Sequence, residues 1–174
     1  MKSNKKINVF IVDDNKVFSM ALSADIENTF PKMSIEIHTF ETGESCMNTF
    51  KDIKPQIVIL DYHLNSKFTD AADGIKVLDW LKKENPETYV IMLTGDDNIN
   101  IALKSFQHGA SDYIVKTDTK LRKLVFSLFN FFKIMEAKKA AKRYQNMVIG
   151  LLFGISFLIG VVVAIQIFEP AFFN

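Results

Sequence analysis

The chain has 174 residues, with 21 Lys and Arg against 20 Asp and Glu, which is room for one well-packed domain plus an appendage. A formal charge of +1 excludes a strong overall bias toward nucleic acid or acidic partners. The single cysteine, Cys46, excludes an internal disulfide and fits a reducing compartment.

The first apolar run, Ile7 to Val12, ends on Asp13 and Asp14, and the basic stretch before it holds too short an apolar run for a secretory signal. Residues 15–30 place Val17, Ala21, Leu22 and Ile26 at helical spacing, closed by Pro31. Residues 34–40 alternate through Ile35, Ile37 and Thr39, which predicts an edge strand with one face less buried. The ETGES turn then leads into a short helix that carries Cys46 as a small buried residue and stops at Lys54-Pro55. Next comes the organising stretch, residues 56–61. Ile57, Val58, Ile59 and Leu60 are consecutive apolar residues, as in a strand covered on both faces, and the run ends on Asp61. Ile75, Leu78 and Leu81 form one stripe of a helix that stops at Asn85-Pro86. The strand over residues 89–93 ends on Thr94. The helix over residues 98–108 turns Ile101, Ala102 and Phe106 inward and stops at Gly109. The strand over residues 113–115 ends on Lys116. A fifth helix, capped by Thr117 or Asp118, runs through Leu121, Leu124, Val125, Leu128, Phe129 and Phe132 and continues to about Gln145.

Strands alternating with helices predict a right-handed parallel α/β sheet, flavodoxin-like, with five strands in the order 2-1-3-4-5 and five helices. Such sheets bind ligands at the carboxyl ends of their strands, where Asp13, Asp14, Asp61, Thr94 and Lys116 converge. Carboxylates suit a hard cation, one of them is free to attack, and a hydroxyl and an ammonium suit phosphoryl oxygens. The spacing predicts a phosphoryl site with a metal.

VDDN at 12–15, ILDYHL at 59–64, DG at 73–74, MLTG at 92–95 and DYIVK ending at Lys116, in this order, resemble the receiver domain of two-component response regulators. The resemblance covers roughly residues 5–132. It implies that Asp61 takes a phosphoryl group from a histidine kinase or phosphotransfer protein, and that Mg²⁺ is held by Asp13, Asp14 and the backbone carbonyl of His63. It further implies that Thr94 and Lys116 hold the phosphoryl oxygens and that Tyr113 is the aromatic switch. The imidazole of His63 is excluded as a ligand, because Mg²⁺ prefers oxygen. The resemblance implies no enzyme beyond self-catalysed phosphoryl transfer and hydrolysis. Two departures stand out. Thr117 replaces the proline that usually follows the lysine, which predicts a trans or strained turn and a lysine slightly off target. The loop after Asp61 is also longer than usual, which enlarges the rim of the site and leaves Phe68 and Asp70 to cover it or to contact a partner.

Residues 147–168 carry no charge and, at about 1.5 Å per residue, cover roughly 33 Å against a hydrocarbon core of about 30 Å. Lys133, Lys138, Lys139, Lys142 and Arg143 precede this stretch and Glu169 follows it, which places the receiver in the cytoplasm by the positive-inside rule. The expected plan is a receiver at 5–132, a basic helical extension at 133–146, a single transmembrane helix at 147–168 and a short tail at 169–174. Gly150 and Gly154, and Ser156, Gly160 and Ala164 offset from them, space small residues four apart and permit a homodimer. No DNA-binding module is expected, so output runs through protein contacts or the anchor. Two competing readings remain. One is a non-phosphorylated receiver-like scaffold that docks a membrane partner; the other is a haloacid-dehalogenase-like phosphatase, which requires an acid where this chain has His63.

Overall fold

The computed structural model describes residues 6–64, 71–95, 97–117 and 119–168. Phe68, Asp70, Asp118, Glu169 and the 169–174 tail, all named in the sequence reading, lie outside the described residues. The chain divides into two compact units, Met1–Leu128 and Phe129–Asn174.

The first unit alternates strand and helix: β1 (Ile7–Val12), α1 (Lys16–Thr29), β2 (Ile35–Phe40), α2 (Gly43–Ile53), β3 (Ile57–Asp61), α3 (Gly74–Glu84), β4 (Tyr89–Thr94), α4 (Ile99–Gln107), β5 (Asp112–Val115) and the start of α5 (Lys120–Phe168). All strand pairs are parallel, in the order β2-β1-β3-β4-β5, as expected. Register aligns Val12 with Leu60 and Asp61 with Leu93, so the strands end level and their next residues meet along one edge.

Both faces of the sheet are covered, which is why its strands read as continuous apolar runs. Phe10, Val12, Val58, Leu60, Val90 and Met92 pack with Cys46 and Phe50 of α2 and Val77, Leu78 and Leu81 of α3. Burial pushes the Cys46 thiol up to about 12, consistent with a small buried apolar residue. Val9, Ile11, Ile57, Ile59 and Ile91, which alternate with those residues, are equally buried.

Helix starts follow capping chemistry. Asn15, Thr42, Asp73 and Asn98 each turn a side-chain oxygen onto a backbone N–H of the first turn. Gly109 takes the left-handed φ of 93° after α4, a conformation that favours glycine. Two helix faces differ from the sequence expectation. In α1, Leu22 and Ile26 are buried but Val17 is 78% exposed and Ala21 faces out, with Ser19 buried instead. In α4, Phe106 is exposed and Ser105 is buried, its Oγ donating to Ile101 O at 2.8 Å.

The second unit is helical through Phe168. Its apolar residues from Met147 to Ile165 are exposed on every face. By length and composition, α5 is the one helix among the described residues able to cross a membrane.

Candidate phosphoacceptor site

The site is built where β1, β3, β4 and β5 end. β1 delivers Asp13 and Asp14, both buried, and β3 ends on Asp61, also buried. One ligand oxygen from each lies within 4.8 Å of the others. Lys116, the residue after β5, reaches back to two of them: Nζ donates to Asp13 Oδ2 at 2.7 Å and lies 2.9 Å from Asp61 Oδ2. Its backbone N–H donates to Thr94 O at 2.7 Å, which keeps the two strand ends together. Thr94 is fully buried at the end of β4.

Electrostatics at this edge are opposed. Burial raises the carboxyl of Asp13 above its ordinary value, and the hydrogen bond and charge of Lys116 pull it back down. Asp13 Oδ1 accepts from the backbone N–H of Asn15 at 2.9 Å. Asp61 Oδ1, by contrast, is buried and has no hydrogen-bond partner among the described residues. A buried carboxylate oxygen without a donor is costly unless the site is completed by something positive. Three carboxylates are also the oxygen-rich donor set a hard divalent cation takes. The residues present therefore fit Mg²⁺.

Tyr62, the residue after β3, is fixed by its neighbours. Tyr62 N–H donates to Leu93 O at 2.8 Å, and Tyr62 O accepts from Gly74 N–H at 3.0 Å. A Cβ on Gly74 would collide with Asp61 O and lie 2.7 Å from Tyr62 Cα, so only glycine permits this approach. His63 is exposed beside the site. Tyr113 is half-buried against the core and lines a groove of about 440 Å³ with Arg122, Lys123 and Phe126.

The structure thus brings together Asp13, Asp14, Asp61, Thr94 and Lys116. Thr117 follows Lys116 through a trans peptide, and its N–H donates to Val115 O at 2.8 Å. Even so, Lys116 sits on its two carboxylates rather than off target. One neighbour was not anticipated from the sequence: the ring of Phe18, whose centroid is 4.7 Å from Lys116 Nζ.

A parallel 2-1-3-4-5 sheet with an acidic cluster and a lysine at its carboxyl edge defines the receiver class of signalling domains. The family model for the response regulator receiver domain matches residues 9–126, and the chain belongs to that family. Heme response regulator HssR of Staphylococcus epidermidis is 29% identical over 139 residues, 80% of this chain and 53% of that protein. Regulatory protein AtoC of Escherichia coli (strain K12) is 29% identical over 108 residues, 62% of this chain and 22% of that protein. A protein-glutamate methylesterase/protein-glutamine glutaminase of Methanosarcina barkeri is 33% identical, but the match covers only 29% of it. The chain therefore spans about half or less of the length of these curated relatives. Among solved structures, the BeF3-activated receiver domain of DrrB superposes with a TM-score of 0.62 at 26% identity, covering 74% of this chain and 98% of that one. The receiver domain of NtrX from Brucella abortus gives 0.62 at 26%, covering 72% and 98%. Receiver domains are phosphoacceptor signalling modules that bind Mg²⁺ at an acidic cluster and take phosphoryl groups from histidine kinases or phosphotransfer proteins. They are not typical enzymes.

Proposed function

We propose that this chain is a membrane-anchored response regulator that accepts a phosphoryl group on Asp61. The observation that carries the reading is the buried Oδ1 of Asp61, unpartnered among the described residues, beside a lysine and two further carboxylates. A carboxylate oxygen of Asp61 attacks phosphorus, an O–P bond forms, and the P–N bond of the donor phosphohistidine breaks. The departing imidazole keeps the bonding pair and takes up a proton. Lys116 turns from Asp61 Oδ2 to a phosphoryl oxygen, and the Thr94 hydroxyl donates to another. Asp13, Asp14 and the His63 carbonyl hold Mg²⁺, which supplies charge neutralisation at the phosphoryl group when bound. Tyr113 is the aromatic that responds to Thr94.

The rest of the plan follows from the second unit. The residues over 147–168 span the cytoplasmic membrane once, behind a basic extension over 133–146 that keeps the receiver over 5–132 on the cytoplasmic side. Output runs through protein contacts, including a homodimer favoured by confinement to the bilayer and by the small residues around Gly154 and Gly160. Nucleic acid is not a partner in this reading. The test is intact-mass measurement of the full chain after treatment with a small phosphodonor and Mg²⁺. Wild type gains one phosphoryl group and Asp61→Asn gains none. A full adduct on the variant would move the acceptor elsewhere. Carbonate extraction of membranes tests the anchor separately.

A further inference from the structure

We propose that Phe18 is a positioning residue for Lys116, holding its ammonium at the phosphoryl site through the face of the aromatic ring. The inference rests on the phosphoacceptor reading of this site. Lys116 Nζ is bound on one side by Asp13 Oδ2 and Asp61 Oδ2, at 2.7 and 2.9 Å. The Phe18 ring centres 4.7 Å from the same nitrogen, inside the reach of about 6 Å over which a cation is drawn to a ring face. The lysine side chain is only 19% exposed, so the attraction acts where water screens it weakly.

The backbone that carries the ring is held at the start of α1. Phe18 N–H donates to Asn15 Oδ1 at 3.1 Å, and Asn15 N–H donates to Asp13 Oδ1 at 2.9 Å. One short segment therefore places both a carboxylate and an aromatic face on the same ammonium. The two contacts differ in kind. A carboxylate fixes a hydrogen-bond direction, whereas a ring face attracts charge with little directional demand. When Asp61 gains a phosphoryl group, Lys116 must pivot from Asp61 Oδ2 toward the new oxygens. The ring restrains the head group throughout that pivot. Three side-chain contacts, from Asp13, Asp61 and Phe18, converge on the lysine head group.

The test is a double-mutant cycle on the full chain in detergent, reading affinity for beryllofluoride with Mg²⁺ as a phosphoryl mimic. No kinase is present, so docking plays no part. Phe18→Leu keeps apolar bulk but removes the ring. It should weaken beryllofluoride binding about three- to ten-fold, while Phe18→Trp stays within about two-fold of wild type. In a Lys116→Gln background, Phe18→Leu should have no further effect. Thermal melts check that each variant is folded. As a readout independent of the mimic, the ε-methylene protons of Lys116 should be ring-shifted upfield in wild type and return to ordinary values in Phe18→Leu. Indifference of beryllofluoride binding to Phe18→Leu, or a loss that persists undiminished with Lys116→Gln, would overturn the inference alone. A wild-type chain that binds no beryllofluoride would overturn the phosphoacceptor reading and this inference with it.

Discussion

Ile57 to Leu60 in β3 and Leu151 to Ile155 in α5 are similarly apolar, yet they meet opposite surroundings. The β3 residues are at most 1% exposed, whereas Leu151 is 61% and Phe153 is 72% exposed. In the sheet, apolar residues have partners on both faces, and burial removes them from water at about 25 cal/mol per Å². Over residues 147–165 of the helix no face is charged and no partner exists among the described residues of that unit. A helix apolar all round is stable only where its surroundings are apolar too. The lesson is that hydrophobicity alone does not specify a core. Periodicity and neighbours decide whether protein or lipid supplies the apolar environment.

The sharpest way to break this contrast is to place one charge in each region. Ile59→Lys buries an ammonium with no counter-charge, a cost of several kcal/mol against a total stability of about 5–15 kcal/mol, so its cooperative unfolding transition should disappear. Leu158→Lys should leave the transition of the α/β unit in place. On the anchoring proposed above, it should instead cost about 2.5–3.5 kcal/mol of insertion, visible as a larger carbonate-extractable fraction. Equal effects of the two substitutions on the unfolding transition would end the distinction.

Truncation gives a smaller version of the same test. Leu60→Ala, at a fully buried position, should cost about 2–5 kcal/mol in denaturant unfolding, while Leu158→Ala should move that transition by less than about 0.5 kcal/mol. Glycines sharpen it further. Gly74→Ala forces a Cβ onto the Asp61 and Tyr62 backbone and should cost about 1–3 kcal/mol, with slower phosphorylation if Asp61 is the acceptor proposed above. A Cβ at Gly154 meets nothing within 4 Å, so Gly154→Ala should leave unfolding of the α/β unit unchanged.

The smallest expected effect is at Asp13. Burial raises its folded pKa, so between its unfolded value of 3.8 and the folded value the native state holds the extra proton. Stability from this group is therefore full below 3.8 and is lost as pH rises through the folded value. Asp13→Asn removes that ionisation. The metal-free variant should melt slightly higher than wild type at pH 7, with the gain fading toward acid, and should bind Mg²⁺ more weakly. A thermal melt series from pH 4 to pH 8 checks the sign.

Much of this arrangement was readable from residue order. Buried runs that stop on Asp13, Asp61, Thr94 and Lys116 announce where strands end, because a charged or polar residue cannot continue a strand covered on both faces. Helix faces were less legible. In α1 the apolar residues occupy more than one stripe, so spacing could not tell Leu22 and Ile26, which are buried, from Val17 and Ala21, which are not. In α4 a serine took the inward place because Ile101 O satisfies its hydroxyl, which hydropathy does not register. The contact between Phe18 and Lys116 joins distant segments and follows no period. Thr117 misled in the other direction, since a missing proline predicted a displaced lysine and the side-chain contacts place it anyway.

The strand order also bears on how quickly the α/β unit forms. β1 is held on one side by β2, its immediate successor, and on the other by β3. The β1–β3 seam is tied at its start by Asn8 N–H donating to Gln56 Oε1 across a separation of 48 residues. Closing so long a loop costs chain entropy before any pairing rewards it, and parallel neighbours allow no short hairpin to nucleate the seam. The unit should accordingly fold on the millisecond-to-second scale of domains dominated by distant pairings, with the β1–β3 seam setting the pace. The carboxylate cluster of Asp13, Asp14 and Asp61, which draws on both of those strands, comes into being only when that slowest seam has closed.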